Sequence, residues 1–201
     1  MTTVGLLLAA GAGRRMGGPK ALVRPADDAP TLLEATLDRL LHAGLEQVVV
    51  VLGASAEQAR PLAEVAGAAV VVADDWEEGM GASLRAGLRH LDATAAPEVH
   101  AAVVTLVDLP DVGTRVYRRV LSATRGAGPE VLLRATYDGT AGHPVVLGRA
   151  HWAAVADTAR GDRGARDHLA AHPPTSVECG DLASGTDADT PDALRAHRHA
   201  P

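Results

Sequence analysis

Apolar runs of strand length recur along the chain at residues 4–9, 47–52, 68–73 and 101–107. Each is rich in Val, Leu or Ala and continuous rather than alternating, the pattern of strands covered on both faces. Between them the period becomes helical. Thr31 and Glu34 have the spacing of a capping box, Leu33, Leu37, Leu40 and Leu41 follow on one face, and Gly44 ends the run. Ser55 and Gln58 repeat that spacing ahead of a second helix, and residues 80–91 and 114–123 read as two more. Such alternation predicts an α/β fold, a three-layer Rossmann-like sandwich around a mostly parallel central sheet.

After Gly128 the pattern weakens. Residues 130–135 and 144–147 read as strands around a turn at 137–142 that is rich in Gly, Asp and Thr. Short helices at 151–158 and 163–172, a strand at 176–178 and a last helix from Pro191 complete the reading. The most loop-like stretch, Pro-Ala-Asp-Asp-Ala-Pro at 25–30, lies too early to divide domains. The expectation is a single domain over residues 1–201, its first half a nucleotide-type α/β unit and its second half completing it.

Composition sharpens this picture in three ways. With 47% hydrophobic residues but 2% aromatic and no Phe, a sizeable core must be built from Leu, Val and Ala. A net charge of −6 argues against a dedicated nucleic-acid or membrane-surface protein, whose footprint is usually basic. The lone cysteine, Cys179, excludes an internal disulfide and a multi-cysteine zinc site, and no apolar run approaches the roughly 18 residues that would span a bilayer. The expected location is the cytoplasm.

The first strand runs into Ala10-Gly11-Ala12-Gly13-Arg14-Arg15-Met16-Gly17-Gly18-Pro19-Lys20. Glycines let backbone N–H groups turn inward as a nest for phosphate, with Arg15 and Lys20 supplying charge; the plainer reading is an ordinary strand-to-helix turn. Two familiar phosphate loops fit poorly. The dinucleotide fingerprint needs its third glycine one residue before Gly17, and a P-loop at Gly13 and Gly18 is broken by Pro19 and by Ala21 in place of a hydroxyl.

Leu8-Ala9-Ala10-Gly11-x-Gly13-x-Arg15-Met16-Gly17-x-Pro19-Lys20 resembles the nucleotide loop of the molybdopterin nucleotidyltransferases, the family of molybdenum cofactor cytidylyltransferase and its guanylyltransferase relative. Five later segments match in order. Trp76-Glu77-Glu78-Gly79-Met80-Gly81-Ala82-Ser83-Leu84 resembles the segment near base and sugar; read from the residues alone it is a capped helix start, in which Gly81 is hard to justify. Leu106-Val107-Asp108-Leu109-Pro110 resembles the metal-binding Asp-x-Pro at a strand end. Asp108 then lies where open α/β sheets bind ligands, or serves as a turn residue, with Asp111 the better candidate cap. Gly142-His143-Pro144 and Gly161-Asp162-Arg163-Gly164-Ala165-Arg166 resemble acceptor-side segments, against the simpler roles of a structural histidine and a helix cap. Asp187-Ala188-Asp189-Thr190-Pro191 resembles the segment whose second acidic residue is the other metal ligand, while Thr190 and Pro191 also suit a helix start. His168 and His172 have metal-ligand spacing but no evident third ligand, and read as helix surface.

The resemblance implies a nucleotide-binding half at about 1–112 and a smaller acceptor-side half, with the second metal ligand, at about 113–201. It assigns Leu8, Ala9, Ala10, Gly11, Ala12, Gly13, Arg15, Lys20, Gly79, Gly81 and Ser83 to the nucleotide. Asp108 and Asp189 would hold Mg²⁺; Arg15, Lys20 and Asp108 would carry catalysis; His143, Asp162 and Arg166 would face the acceptor. The implied reaction moves CMP from CTP to molybdopterin and releases pyrophosphate, with transient contact to a molybdoenzyme or its maturation factor. GTP as donor, a sugar-phosphate acceptor and a non-catalytic nucleotide-binding module are the alternatives.

Overall fold

The structure, a computed structural model, describes residues 2–197. Its strands are β1 (Thr2–Leu8), β2 (Val48–Leu52), β3 (Ala69–Val72), β4 (Val99–Leu106), β5 (Leu132–Tyr137), β6 (Thr140–Gly148) and β7 (Thr175–Glu178). Its helices are α1 (Leu32–Ala43), α2 (Ala56–Val65), α3 (Met80–Thr94), α4 (Thr114–Ala123), α5 (Trp152–Thr158), α6 (Arg166–Ala171) and α7 (Pro191–His197). All seven strands form one sheet in the order β3-β2-β1-β4-β6-β5-β7. Every pairing is parallel except the two made by β6.

The central strands bury side chains on both faces, which is why their sequences are continuously apolar. Leu7, Val50, Leu52 and Val103 pack beneath α1, α2 and α4, where Leu33, Leu37, Leu40 and Tyr117 fill the layer. Leu6, Leu8, Val51 and Val104 face the other way, against Leu84 and Leu88 of α3 and Trp152 and Val155 of α5. The three-layer expectation holds, and Trp152 and Tyr117 supply the bulk that Phe would otherwise give.

The capping box of α1 is present: the Glu34 N–H donates to Thr31 Oγ1 at 3.2 Å, the Thr31 N–H donates to the Glu34 carboxylate at 2.8 Å, and Gly44 closes the helix at φ 105°. The second expected box is absent. Ser55 precedes α2 at φ 57° and its side chain caps nothing, because a capping residue needs the extended backbone that this left-handed conformation lacks. The expected turn at 137–142 shrinks to Asp138 and Gly139, both at positive φ, an Asp-Gly pair suited to a two-residue hairpin. Thr140 and Ala141, polar or small enough to read as loop, extend β6 instead. The helix expected at 163–172 begins only at Arg166, since Gly164 at φ 52° interrupts it.

Candidate functional site

The glycine loop leaves the carboxyl end of β1 and is tied at its root to β2, by the Ala9 N–H donating to the Val51 carbonyl at 2.9 Å and the Ala54 N–H donating to the Ala10 carbonyl at 3.0 Å. It then folds on itself. The Gly13 carbonyl accepts from the N–H groups of Met16 (2.8 Å) and Gly18 (3.3 Å), and Gly13 sits at φ 58° where any Cβ would collide with the Gly18 carbonyl. Only glycine permits this closure. Buried Met16 and Ala21 pin the far side of the loop, while Lys20 opens a short 3-10 turn at Lys20–Leu22.

Lys20 joins the two halves of the chain. Its ammonium contacts the Asp108 carboxylate and donates to Asp189 Oδ1 at 2.5 Å, while Arg15 reaches Asp189 Oδ2 at 2.5 Å. Asp108 lies just beyond β4, the inner neighbour of β1 in the sheet. The Ala188 N–H donates to the Asp108 main-chain carbonyl at 2.8 Å, and the Ala188 methyl is buried, so the 187–189 segment is anchored beside Asp108 with an acidic residue on either side. Burial opposes the Lys20 charge, but the two carboxylates outweigh it and hold its pKa above the ordinary lysine value. The hydrogen bond from Lys20, aided by Arg15, holds the Asp189 carboxyl below the usual range.

Carboxylate oxygens of Asp108, Asp187 and Asp189 all lie within 4.8 Å of one another. Asp108 Oδ1 is buried without a hydrogen-bond partner. An orphaned, desolvated carboxylate oxygen among three hard oxygen donors fits a divalent cation. Asp187 was missed as a ligand candidate, although the Asp-x-Asp spacing that carries Asp189 carries it as well.

Asp108 and Asp189, with Lys20 and Arg15, border a cleft of about 550 Å³. It is lined by Leu8, Ala10, Gly11, Ala12 and Gly13, by the charged Arg15, Lys20, Asp108 and Asp189, and by Gly79 and Ser83. Of the residues assigned to the nucleotide, Ala9 and Gly81 do not line it. Ala9 is buried beneath the loop, and Gly81 lies against residue 160, where a Cβ would come 2.7 Å from the Arg160 nitrogen. That close approach gives Gly81 a packing reason that was invisible along the chain. Trp76, Arg14, Glu77, Met80 and Asp162 line the cleft in addition. Arg85 braces this wall from behind, contacting Asp75 and bonding Glu78 (2.9 Å) and the Ala159 carbonyl (3.0 Å).

The acceptor-side candidates divide. Asp162 faces the main cleft, whereas His143 and Arg166 line a smaller adjoining cavity. Tyr137 donates to the His143 carbonyl at 2.6 Å, and burial, reinforced by Arg134, lowers the His143 pKa to about 4, so the ring is neutral. Asp111 does not cap α4, whose N-cap is Gly113; its carboxylate accepts instead from the Ser184 N–H and Oγ, both at 2.6 Å, fastening the segment that precedes Asp187. Thr190 does cap α7, accepting from the Ala193 N–H at 3.2 Å. His172 is exposed, as expected, but His168 is half-buried: it stacks on His172, and its ring lies 3.0 Å, nitrogen to nitrogen, from His151, a neighbour supplied by a segment 17 residues upstream. Among the described residues, no helix is long and apolar enough to cross a membrane.

A family model for the MobA-like NTP transferase domain matches residues 5–176. A protein of Paenarthrobacter nicotinovorans named nicotine blue oxidoreductase is 38% identical over 200 residues, covering 92% of this chain and 91% of its own length. The crystal structure of Rv0371c from Mycobacterium tuberculosis H37Rv superposes with a TM-score of 0.79 at 30% identity, covering 100% of this chain and 99% of that one. A structure of Rv0371c in complex with manganese superposes at 0.72 with 28% identity, covering 98% and 97%.

Proposed function

The chain belongs to the MobA-like NTP transferase family of nucleotidyltransferases, and from that premise we propose that it transfers CMP from CTP to molybdopterin with Mg²⁺ and releases pyrophosphate. The observation that carries this reading is the convergence of Lys20, Arg15, Asp108 and Asp189 at the mouth of a closed glycine loop. In this reading residues 1–201 form one nucleotidyltransferase domain that works in the cytoplasm and passes its product to a molybdoenzyme or its maturation factor.

Asp108, Asp187 and Asp189 would hold the cation, whose chemistry when bound is to offset charge on the phosphate oxygens. Loop amides from Gly11 to Gly13 receive the phosphates, and Lys20 and Arg15 neutralise charge that builds on the α-phosphate and the departing pyrophosphate. Lys20 leaves the carboxylates to do so, since a triphosphate offers it more negative charge than the pair it bridges. Trp76, Gly79 and Ser83 bound the space for base and sugar, and His143, Asp162 and Arg166 face the acceptor. The attacking phosphate is ionised at neutral pH, so positioning and electrostatics suffice without a general base.

A second reading rests on the relative named as an oxidoreductase: the same cleft would hold a redox nucleotide. The spacing of Gly11, Gly13 and Gly17, which departs from the dinucleotide fingerprint, favours the transferase. Incubating the protein and Mg²⁺ with each of the four NTPs and molybdopterin, and following pyrophosphate release, tests the first reading. Release with CTP supports it, release with GTP moves the chain to the guanylyl branch, and no release alongside oxidation of NADH or NADPH by nicotine blue favours the second.

A further inference from the structure

Next to the nucleotide cleft lies a cavity of about 110 Å³ that shares only Leu8 and Met80 with it. The volume is well below the 300 Å³ or so at which pockets take whole small molecules, so it suits a group rather than a ligand. Its floor is apolar, from Leu84, Val104, Val145, Leu147 and Leu169, and its polar side chains are Arg134, Arg163, Arg166 and His143. No carboxylate lines it. Arg163 is paired with Asp167 at 2.7 Å, but Arg134 and Arg166 make no ion pair among the described residues. Arg134 is half-buried, its Nε donates to the Gly142 carbonyl at 3.2 Å, and burial and then the charge of Arg166 pull its pKa down.

Two guanidiniums that repel each other over an apolar floor are costly to hold together, and a chain with net charge −6 has carboxylates enough to pair them. Here none is supplied. The neutral His143 ring adds a hydrogen-bonding group without adding charge, as suits a site whose positive charge is already fixed.

We propose that this cavity binds a compact oxyanion group of the acceptor, gripped by Arg134 and Arg166 and distinct from the oxygen that attacks in the nucleotide cleft. The acceptor is then a molecule with two anionic ends, one presented at Lys20 and Asp108 and the other held here. This rests on the reading that the acceptor lies on the side of His143 and Arg166. The oxyanion is either a second phosphoryl group or the oxo-molybdenum end of a metal-loaded cofactor; both offer oxygens that planar guanidinium forks grip in pairs.

Equilibrium dialysis of the full chain with labelled inorganic phosphate, and separately with molybdate, tests the proposal in wild type, Arg134→Met, Arg166→Met and Lys20→Ala. One site should persist in Lys20→Ala and lose about tenfold or more in affinity in each arginine variant. Arg134→Lys should recover part of the loss, and Arg166, being exposed, can be changed without risk to folding. Tighter phosphate than molybdate binding identifies a phosphoryl end, and the reverse a molybdenum end. Binding that disappears in Lys20→Ala, or that no arginine variant alters, overturns the proposal. CTP titrations on the same proteins separate the two claims. Wild type that ignores CTP but keeps the arginine-dependent site refutes CTP as donor and leaves this inference standing, and the converse result refutes only this inference.

Discussion

Two neighbouring cavities of this molecule are built in opposite ways. The larger cleft, the one we propose for the nucleotide, is lined by short contiguous motifs at the ends of parallel strands, where a loop, a strand end and one acidic tripeptide supply most of the charged groups. The arginine cavity draws Arg134 from β5, His143 from the antiparallel β6, Arg163 from the segment leading into α6 and Arg166 from the first position of α6. In the first, opposite charges already meet, Lys20 and Arg15 lying 2.5 Å from the Asp189 carboxylate, and these are the groups we propose for the phosphates and the metal. In the second, Arg163 has Asp167 as its partner, but Arg134 and Arg166 share the cavity with no carboxylate to pair them among the described residues. One site is poised by internal pairing, the other by internal frustration.

If the cleft is the chemical centre, Asp108→Ala has the largest effect. It removes a carboxylate whose buried oxygen has no other partner, while the main-chain bond to Ala188 survives, so the fold should stand. Nucleotidyl transfer should fall by about 10²–10³ or more. Turnover near normal, with an unaltered divalent-metal requirement, would break the contrast between the two cavities.

Lys20→Ala comes next. It should weaken CTP binding far more than binding of CMP, and leave cytidine almost untouched, because the ammonium acts as a point charge on phosphate. A charge-assisted contact of this kind is worth about 1.5–3 kcal/mol. Calorimetric titration of the three ligands against both proteins checks it, and equal losses for all three would remove Lys20 from the phosphate site.

The same contrast shows what was legible along the chain. The cleft could be read because its parts are local: Gly13 signals a closed turn, Asp108 follows an apolar strand, and Thr190 marks a helix start wherever they lie. Asp187 was within reach, since the spacing that singles out Asp189 also brings it in. The arginine cavity could not be read. Arg134 stands in a strand of mixed polarity, and only the pairing of β5 with an antiparallel β6 brings it beside His143. Asp111 misled for a related reason: its partner, Ser184, is 73 residues away. Local spacing also overreached at Ser55, where a sound capping pattern met a backbone that does not accept it.

The frustration of the second cavity should appear in its pH dependence. The folded His143 pKa of about 4 lies below its unfolded value near 6.5, so above pH 6.5 both states are neutral there and stability is complete. As pH falls from 6.5 towards 4 the unfolded chain takes up a proton that the folded chain refuses, and stability is lost. Because the ring edge reaches an open cavity, the loss at this site should be about 2 kcal/mol rather than the full shift. Urea midpoints of wild type and His143→Phe between pH 7 and 4.5 test it: the variant should show the shallower decline, and parallel curves would assign the acid sensitivity elsewhere.

The smallest effect, and the finest probe of the cleft, is Ala10→Gly. Ala10 lines the cleft but is buried, and its methyl is turned towards Gly53, where a Cβ would lie 2.9 Å from it and 2.5 Å from Trp76 Cγ. The methyl therefore limits the base space less by occupying it than by fixing how closely Trp76 and the residue-53 turn can settle onto the loop. Removing it leaves a methyl-sized gap into which the indole can relax, widening the room for a purine. A change of this size separates substrates by about 1–3 kcal/mol when the contact is direct, and less when it acts through a neighbour. The variant should raise use of GTP relative to CTP by roughly tenfold at most, without inverting the preference. Competition assays of kcat/KM for the two nucleotides, in wild type, Ala10→Gly and Ala10→Gly/Trp76→Leu, distinguish the routes. If the gain arises through Trp76, the two substitutions will be non-additive; full additivity would place the Ala10 methyl directly against the base.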